Sequence, residues 1–223
     1  MKHTPLSQEG LKCIACITML IDHVGVVFFP QNLWLRIIGR LAFPIYCFLL
    51  AEGSHHTKNP AKYALRLFIG LLLAEIPFDL ALYGQISWAH QSVMFTLLLA
   101  FSMAMVMNKL PLPGKALAVI PFYIVAELLH TDYGGLGIVM AAVFIIGREL
   151  PEPLVIQTAG LAIANLAWFT TSIIQPFAVA AMVPISLYSG KKASRSKLLQ
   201  WAFYLFYPAH LLVLWLLREK MSF

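Results

Sequence analysis

Apolar residues run through this chain in long unbroken blocks rather than at every second position, which is the pattern of buried or lipid-covered helices and not of half-exposed strands. Crossing the hydrocarbon core of a bilayer takes roughly 17 to 25 helical residues. Blocks near that length occupy residues 11–30, 33–52, 62–83, 92–108, 115–130, 135–148, 153–169, 173–189 and 199–217, the sixth being the shortest. The segments between them (FPQN, GSHHTKNP, YGQISWAHQ, KLPLPGK, HTDYGG, RELPEP, TTS and SGKKASRSK) are rich in Gly, Pro, Asn and Ser, the chemistry of connectors. The pattern predicts an all-α, polytopic membrane helix bundle with about nine transmembrane spans, eight to ten, built as one domain over residues 1–223.

Composition sharpens that picture. The apolar set makes up 60% of the chain and charged residues 12%, against about 45–50% and 25% in soluble domains, and the mean hydropathy is +0.79. These values exclude an ordinary soluble domain, a disordered chain and a disulfide-rich secreted scaffold. A net charge of +6 would suit nucleic acid, yet the positive residues lie in short connectors, so the expected partner is a lipid bilayer and no nucleic acid. Lys58, Lys62 and Arg66 flank the second connector, Lys109 and Lys115 the fourth, Arg148 the sixth, and Lys191, Lys192, Arg195 and Lys197 the eighth; the odd-numbered connectors have none. By the positive-inside rule this places residues 1–10 as a short cytoplasmic segment of a bacterial inner-membrane protein, with Arg218 and Lys220 as the contrary charges. The first apolar run carries Lys12, Asp22 and His23 and shows no small-x-small cleavage site, which predicts a retained span rather than a signal peptide. Cys13, Cys16 and Cys47 sit inside apolar runs without a second ligand pair, so neither a disulfide framework nor a metal site is expected. Oligomeric state stays open.

Ionisable residues at membrane depth are the candidates for chemistry, because each costs roughly 2.5 to 3.5 kcal/mol at the middle of a span. Asp22, His23, Arg40, Glu75 and His210 fall there. If spans two and three form an antiparallel hairpin, residues equidistant from the HHTKN loop share a depth, which pairs Arg40 with Glu75 and Arg36 with Asp79. The same reasoning across the FPQN turn brings His23 close to Arg40, and His210 in the last span reaches that level. His23, Arg40, Glu75 and His210 are thus expected to converge, either as ion pairs that fix helix register or as a catalytic group. Lys12 lies eleven residues before His23, on nearly the same helical face, whereas Asp22 does not, leaving Glu75 as the expected partner of the imidazole. Histidine is the side chain best suited to general-base work near neutral pH.

The blocks LKCIACITMLIDHVG, RIIGRLAFPIYCFLLAEG, HTKNPAKYALRLFIGLLLAEIPFD, DYGGLGI and FYLFYPAHLLVL resemble the TraX family, named for the conjugative F-pilin acetylase, over residues 11 to 214. That family looks similar to the acyltransferase-3 proteins and the heparan-α-glucosaminide acetyltransferases, which move acetyl from cytosolic acetyl-CoA to an acceptor across the membrane. In acyltransferase-3 proteins an arginine precedes the essential histidine of span one by eleven positions. Here Lys12 and His23 hold that spacing, so the resemblance implies His23 as catalytic base or transient acetyl carrier. Lysine keeps the positive charge but loses the bidentate fork of arginine.

The expected function is therefore an acetyl-CoA-dependent O- or N-acetyltransferase acting on an acceptor protein such as a pilin N-terminus, or on a glycan or lipid. His23 is the expected base, Glu75 its orienting partner, and Arg40 or Tyr207 the oxyanion stabiliser, with His210 alongside. Lys12, His56, Lys62, Tyr63 and Arg66 are the expected acetyl-CoA contacts. Buried His, Arg and carboxylates also build proton pathways, so a proton-coupled transporter is the chief rival, and a non-enzymatic pilus or envelope assembly scaffold the third reading.

Overall fold

A computed structural model describes residues 6–169, 172–191 and 196–221. Residues 1–5 of the N-terminal segment, Lys192 and Arg195 of the eighth connector, and the side chain of Lys197 lie outside what it describes. Each predicted apolar block is helical, and no β-strand forms among the described residues. α1 spans Gln8–Phe28 and starts where the Ser7 hydroxyl accepts from the Gly10 N–H at 3.1 Å, the usual N-cap contact. α4 (Pro60–Tyr83), α5 (Val93–Met107), α6 (Leu112–Leu128), α7 (Gly134–Gly147), α8 (Pro153–Ala167) and α10 (Lys197–Met221) are single helices.

Two blocks break, and proline explains both. The second divides into α2 (Leu33–Gly39) and α3 (Ala42–His56). Pro44 has no N–H for the Arg40 carbonyl, and its ring crowds that carbonyl, so the ladder is interrupted at Arg40 and Leu41. The eighth block becomes a 3₁₀ turn over Gln175–Ala181 followed by the short α9 (Met182–Ser186), with Pro176 and Pro184 removing donors along it.

Three helical stretches, Gln8–Phe28, Leu33–His56 and Leu198–Met221, are long and apolar enough to cross a membrane. Around them the outer surface is apolar where a soluble protein would be polar. Leu65, Leu72 and Ile76 on α4 and Leu117, Ile120 and Ile124 on α6 are all at least half exposed, and their three-, four- and seven-residue spacings make continuous outward stripes. Surfaces of this extent need a lipid or protein cover. Inside, Phe78, Phe101, Phe144, Ile45 and Ile138 are fully buried, where α7 packs among α3, α5, α6 and α8.

The connections gather alternately at the two ends of the bundle. At one end Glu52 pairs with Arg148 at 3.1 Å and Lys115 with Glu149, while the N-terminal segment bonds the eighth connector through Leu6 N–H to Leu187 O and Gln8 N–H to Lys191 O. At the other end the third and fifth connectors are tied by Gln91 N–H to His130 O and Asp132 N–H to Gln91 O. Arg218, the contrary charge, lies at this second end and donates to the Ala81 carbonyl at 3.3 Å. It satisfies one of the carbonyls that the C-terminus of α4 leaves without an intrahelical partner, a local task for a charge that ran against the orientation pattern.

The expected hairpin of spans two and three is corrected. α4 packs chiefly against α10 and α5, not against α3. The equal-depth pairings built on that hairpin therefore fail: Arg40–Glu75 and Arg36–Asp79 do not form, as the site shows.

Candidate functional site

Asp22, at 8% exposed, is where the two arginines converge. Arg36 Nη1 donates to Asp22 Oδ2 at 2.8 Å, and Arg40 Nη2 donates to Oδ1 and Oδ2 at 3.1 and 3.2 Å. The kink at Arg40 and Leu41 swings both guanidinium groups back onto α1, which packs on α2. Gly39 makes that approach feasible, since a Cβ there would sit 2.1 Å from Asp22 Oδ1. Arg40 continues into a polar chain: its Nη1 donates to Gln175 Oε1 at 3.4 Å, and Gln175 Nε2 donates to Asn165 Oδ1 at 2.9 Å. Asp79 accepts from the Ser87 N–H, and Glu75 from the Ser92 N–H and hydroxyl.

Next to the Asp22 cluster, two buried imidazoles touch. His23 Nδ1 lies 2.7 Å from His210 Nε2, and His210 Nδ1 lies 2.7 Å from the Phe206 carbonyl oxygen. A carbonyl only accepts, so His210 Nδ1 carries the proton there. In neutral His210, Nε2 is then an acceptor, and His23 must donate from Nδ1. The tautomer of His23 is thereby set, with its Nε2 lone pair left to act as a base. His210, not Glu75, is the group that orients His23.

Two cavities, each of about 430 Å³, enter the bundle from its opposite ends. The first opens at the basic end, beside Lys12, Glu52, His56 and Arg66. The second opens at the other end, beside Asp22, Arg36, Arg40, Asp132 and Tyr133, and His23 lines it. Both are bounded by Met19, Tyr46, Val93 and Tyr207, which form a thin partition. The ring of Tyr207 is 6.0 Å from that of His23.

Of the side chains expected to do chemistry, His23, Arg40 and Tyr207 line the second cavity, Tyr207 lines both, and His210 supports His23 from behind. Glu75 lines neither. Lys12, His56, Tyr63 and Arg66 line the first cavity, whereas Lys62 is exposed outside it. Arg66 lies between the rings of Tyr63 and Tyr204, at 5.6 and 5.8 Å, and its Nε is buried without a partner. A guanidinium so held is fixed by aromatic faces and keeps N–H donors for an anion.

The profile of the TraX family, described as TraX protein, matches residues 7–218. The chain belongs to the TraX family. A relative covering almost all of both chains, 96% of each at 30% identity, is named "Probable fimbrial assembly protein FimC, serogroup H1" of Dichelobacter nodosus. "Protein TraX" of Escherichia coli is 26% identical over 143 residues, 63% of this chain and 56% of its own. An uncharacterized protein of Rickettsia prowazekii is 49% identical over 41 residues, 18% of this chain and 16% of its own. No solved structure matches. With these relatives and its apolar helices, this TraX-family chain is a bacterial membrane protein.

Several residues of the TraX site went unnoticed in the sequence. Asn165 and Gln175 are amides inside apolar blocks, and the hydropathy contrast alone was signal enough to mark them. Asp132 stands in a connector, where a carboxylate looks ordinary. Only the fold brings it to the second cavity, where it stays solvent-accessible and faces Arg40, Asp22, Arg36 and His90, and where the protein crowded around its carboxyl pushes it up to about 6 against the pull of Arg40. Ser92 likewise reads as a plain helix cap until Glu75 is seen beside it.

Proposed function

We propose that this chain is a multi-pass acetyltransferase of the bacterial inner membrane, with its N-terminus in the cytoplasm. It takes acetyl from acetyl-CoA in the first cavity and passes it to an amine or hydroxyl acceptor in the second. The observation that carries the reading is the pair of cavities meeting at one thin partition, with a base of defined tautomer beside it. Arg66 and Lys12 line the first cavity and their charge suits phosphate oxygens of the nucleotide, and the narrow partition asks only the thin pantetheine thioester to reach His23. Acetyl crosses while the charged nucleotide stays outside the hydrocarbon, where each charge would be costly.

In the step itself the acceptor nitrogen or oxygen bonds to the carbonyl carbon and gives its proton to His23 Nε2. The C–S bond then breaks, and the CoA thiolate takes that proton. Asp132 has no ion pair among the described residues and suits an acceptor that arrives as an ammonium group, which releases one proton to solvent in the second cavity before the neutral amine attacks. The fimbrial and TraX names of the relatives support a pilin subunit as acceptor; glycan and lipid acceptors fit the same chemistry.

The test is acetyl-CoA binding and turnover by the detergent-purified protein, wild type beside His23→Ala. Binding by both with turnover only in the wild type supports the reading. If the folded wild type neither binds nor cleaves acetyl-CoA, the reading fails. A proton-coupled transporter, for which two facing vestibules would also serve, is then tested by proton uptake in vesicles.

A further inference from the structure

Where the two cavities meet, one helix end is left open. α5 begins after Ser92, which is fully buried, and Val93 and Met94 are buried as well. A serine at this position ordinarily turns its hydroxyl back to accept from an amide of the first turn. Ser92 does not, and no side-chain cap closes α5. Its hydroxyl donates instead to Glu75 Oε1 at 2.7 Å, and its N–H donates to both Glu75 oxygens at 3.2 Å. The carboxylate thus draws the natural cap away. The amides of Val93 and Met94, which have no intrahelical acceptor by position, receive no cap from Ser92; Val93 lines both cavities and Met94 the first.

A second feature meets the same spot from another helix. Tyr207 of α10 is 4% exposed; the Val93 N–H is directed at its hydroxyl oxygen, and its own O–H is buried without an acceptor. Buried polar groups are almost always paired. An open helix end and an O–H without an acceptor, converging on one partition, both call for an oxygen ligand.

We propose that this corner holds the carbonyl oxygen of the acyl thioester, through the Met94 N–H and the Tyr207 O–H, with the Val93 N–H supporting the Tyr207 oxygen and Glu75 as the positioning residue that keeps α5 open through Ser92. The assignment rests on the acyl-transfer reading above. As the acceptor bonds to the carbonyl carbon and its proton moves to His23, the carbonyl π electrons shift onto the oxygen held here. They return when the C–S bond breaks and the thiolate leaves. Preorganised donors and the positive end of a helix favour that transient negative charge. Glu75 therefore acts on the reaction without touching His23.

Full-length protein in detergent, as wild type, Tyr207→Phe, Glu75→Ala and Glu75→Gln, tests this through kcat, KM, thermal unfolding and the infrared C=O stretch of bound carbonyl-¹³C acetyl-CoA. Loss of one such donor costs roughly 10²- to 10³-fold in kcat in hydrolases, and Tyr207→Phe should fall by about 10²-fold with KM little changed. Glu75→Ala should lose a similar factor without a lower unfolding temperature, because Ser92 is then free to cap α5. Glu75→Gln, which still accepts from Ser92, should restore much of the rate lost in Glu75→Ala. In the wild type the bound carbonyl should absorb below its frequency in water, and in Tyr207→Phe and Glu75→Ala it should move back up while acetyl-CoA remains bound. Wild-type rates, or an unmoved carbonyl band, in both variants overturn the assignment and leave the acyl-transfer reading standing; a wild type without acetyl-CoA binding overturns both. Should Glu75→Ala fail to fold, Tyr207→Phe decides the question by itself.

Discussion

Replacing His210 by phenylalanine asks the most direct question of the site. The ring shape stays, and His210 is only 7% exposed, so packing against Phe206 is largely kept. The acceptor at 2.7 Å from His23 Nδ1 is lost. A buried donor left without its acceptor costs about 1 to 3 kcal/mol. His23 avoids that penalty only by turning its ring or changing tautomer, and either removes the Nε2 lone pair from the second cavity. Converted at 1.36 kcal/mol per factor of ten, the same range predicts a kcat lower by roughly 5- to 150-fold, with acetyl-CoA affinity unchanged because the first cavity is untouched. Stopped-flow thiol release under saturating acetyl-CoA measures it. His210→Gln supplies a side-chain oxygen near the lost nitrogen and should recover part of the rate. A His210→Phe protein that is folded and turns over like the wild type would refute the orienting role, and so would a His210→Gln protein no better than His210→Phe.

Asp22→Asn should destabilise the protein by about 3 kcal/mol, the low end for removing one partner of a buried ion pair, since Arg36 remains 26% exposed; Asp79→Asn, which still accepts from Ser87, should cost under about 1 kcal/mol. Unfolding in detergent compares the two, and equal losses would contradict the Asp22-centred pairing. Arg66→Ala should raise the Kd for acetyl-CoA by about tenfold, as loss of one charged hydrogen bond does, while Lys62→Ala, outside the cavity, should leave it unchanged by calorimetry. Asp132 has its carboxyl raised to about 6, so it is ionised above that pH and neutral below. The KM for an amine acceptor should therefore rise about tenfold per unit as pH falls below 6, remain level for a hydroxyl acceptor, and lose its pH dependence in Asp132→Asn.

The class of this protein was legible in its sequence because hydropathy is a local property. Nine apolar blocks with Gly- and Pro-rich connectors specify helices whatever their neighbours, and each of them is helical here. The residues at depth were equally visible: a histidine or arginine inside an apolar block stands out by type alone. His23 and Arg40 stand out in that way and Tyr207 through the family resemblance, and the fold gathers the three at one cavity.

Partnership was decided elsewhere. Pairing Arg40 with Glu75 assumed that consecutive spans lie side by side, whereas α4 rests on α10, more than a hundred residues away along the chain. That one packing choice hands Asp22 to the two arginines, puts His210 behind His23 and leaves Glu75 to hold Ser92. Sequence determines which segments are helical and which side chains are costly to bury, since both follow from each segment's own transfer energy. Which buried groups satisfy one another depends on helix contacts between distant segments, on the kink that Pro44 introduces and on the gap that Gly39 leaves. Those are steric outcomes of the whole bundle, and only the tertiary structure holds them.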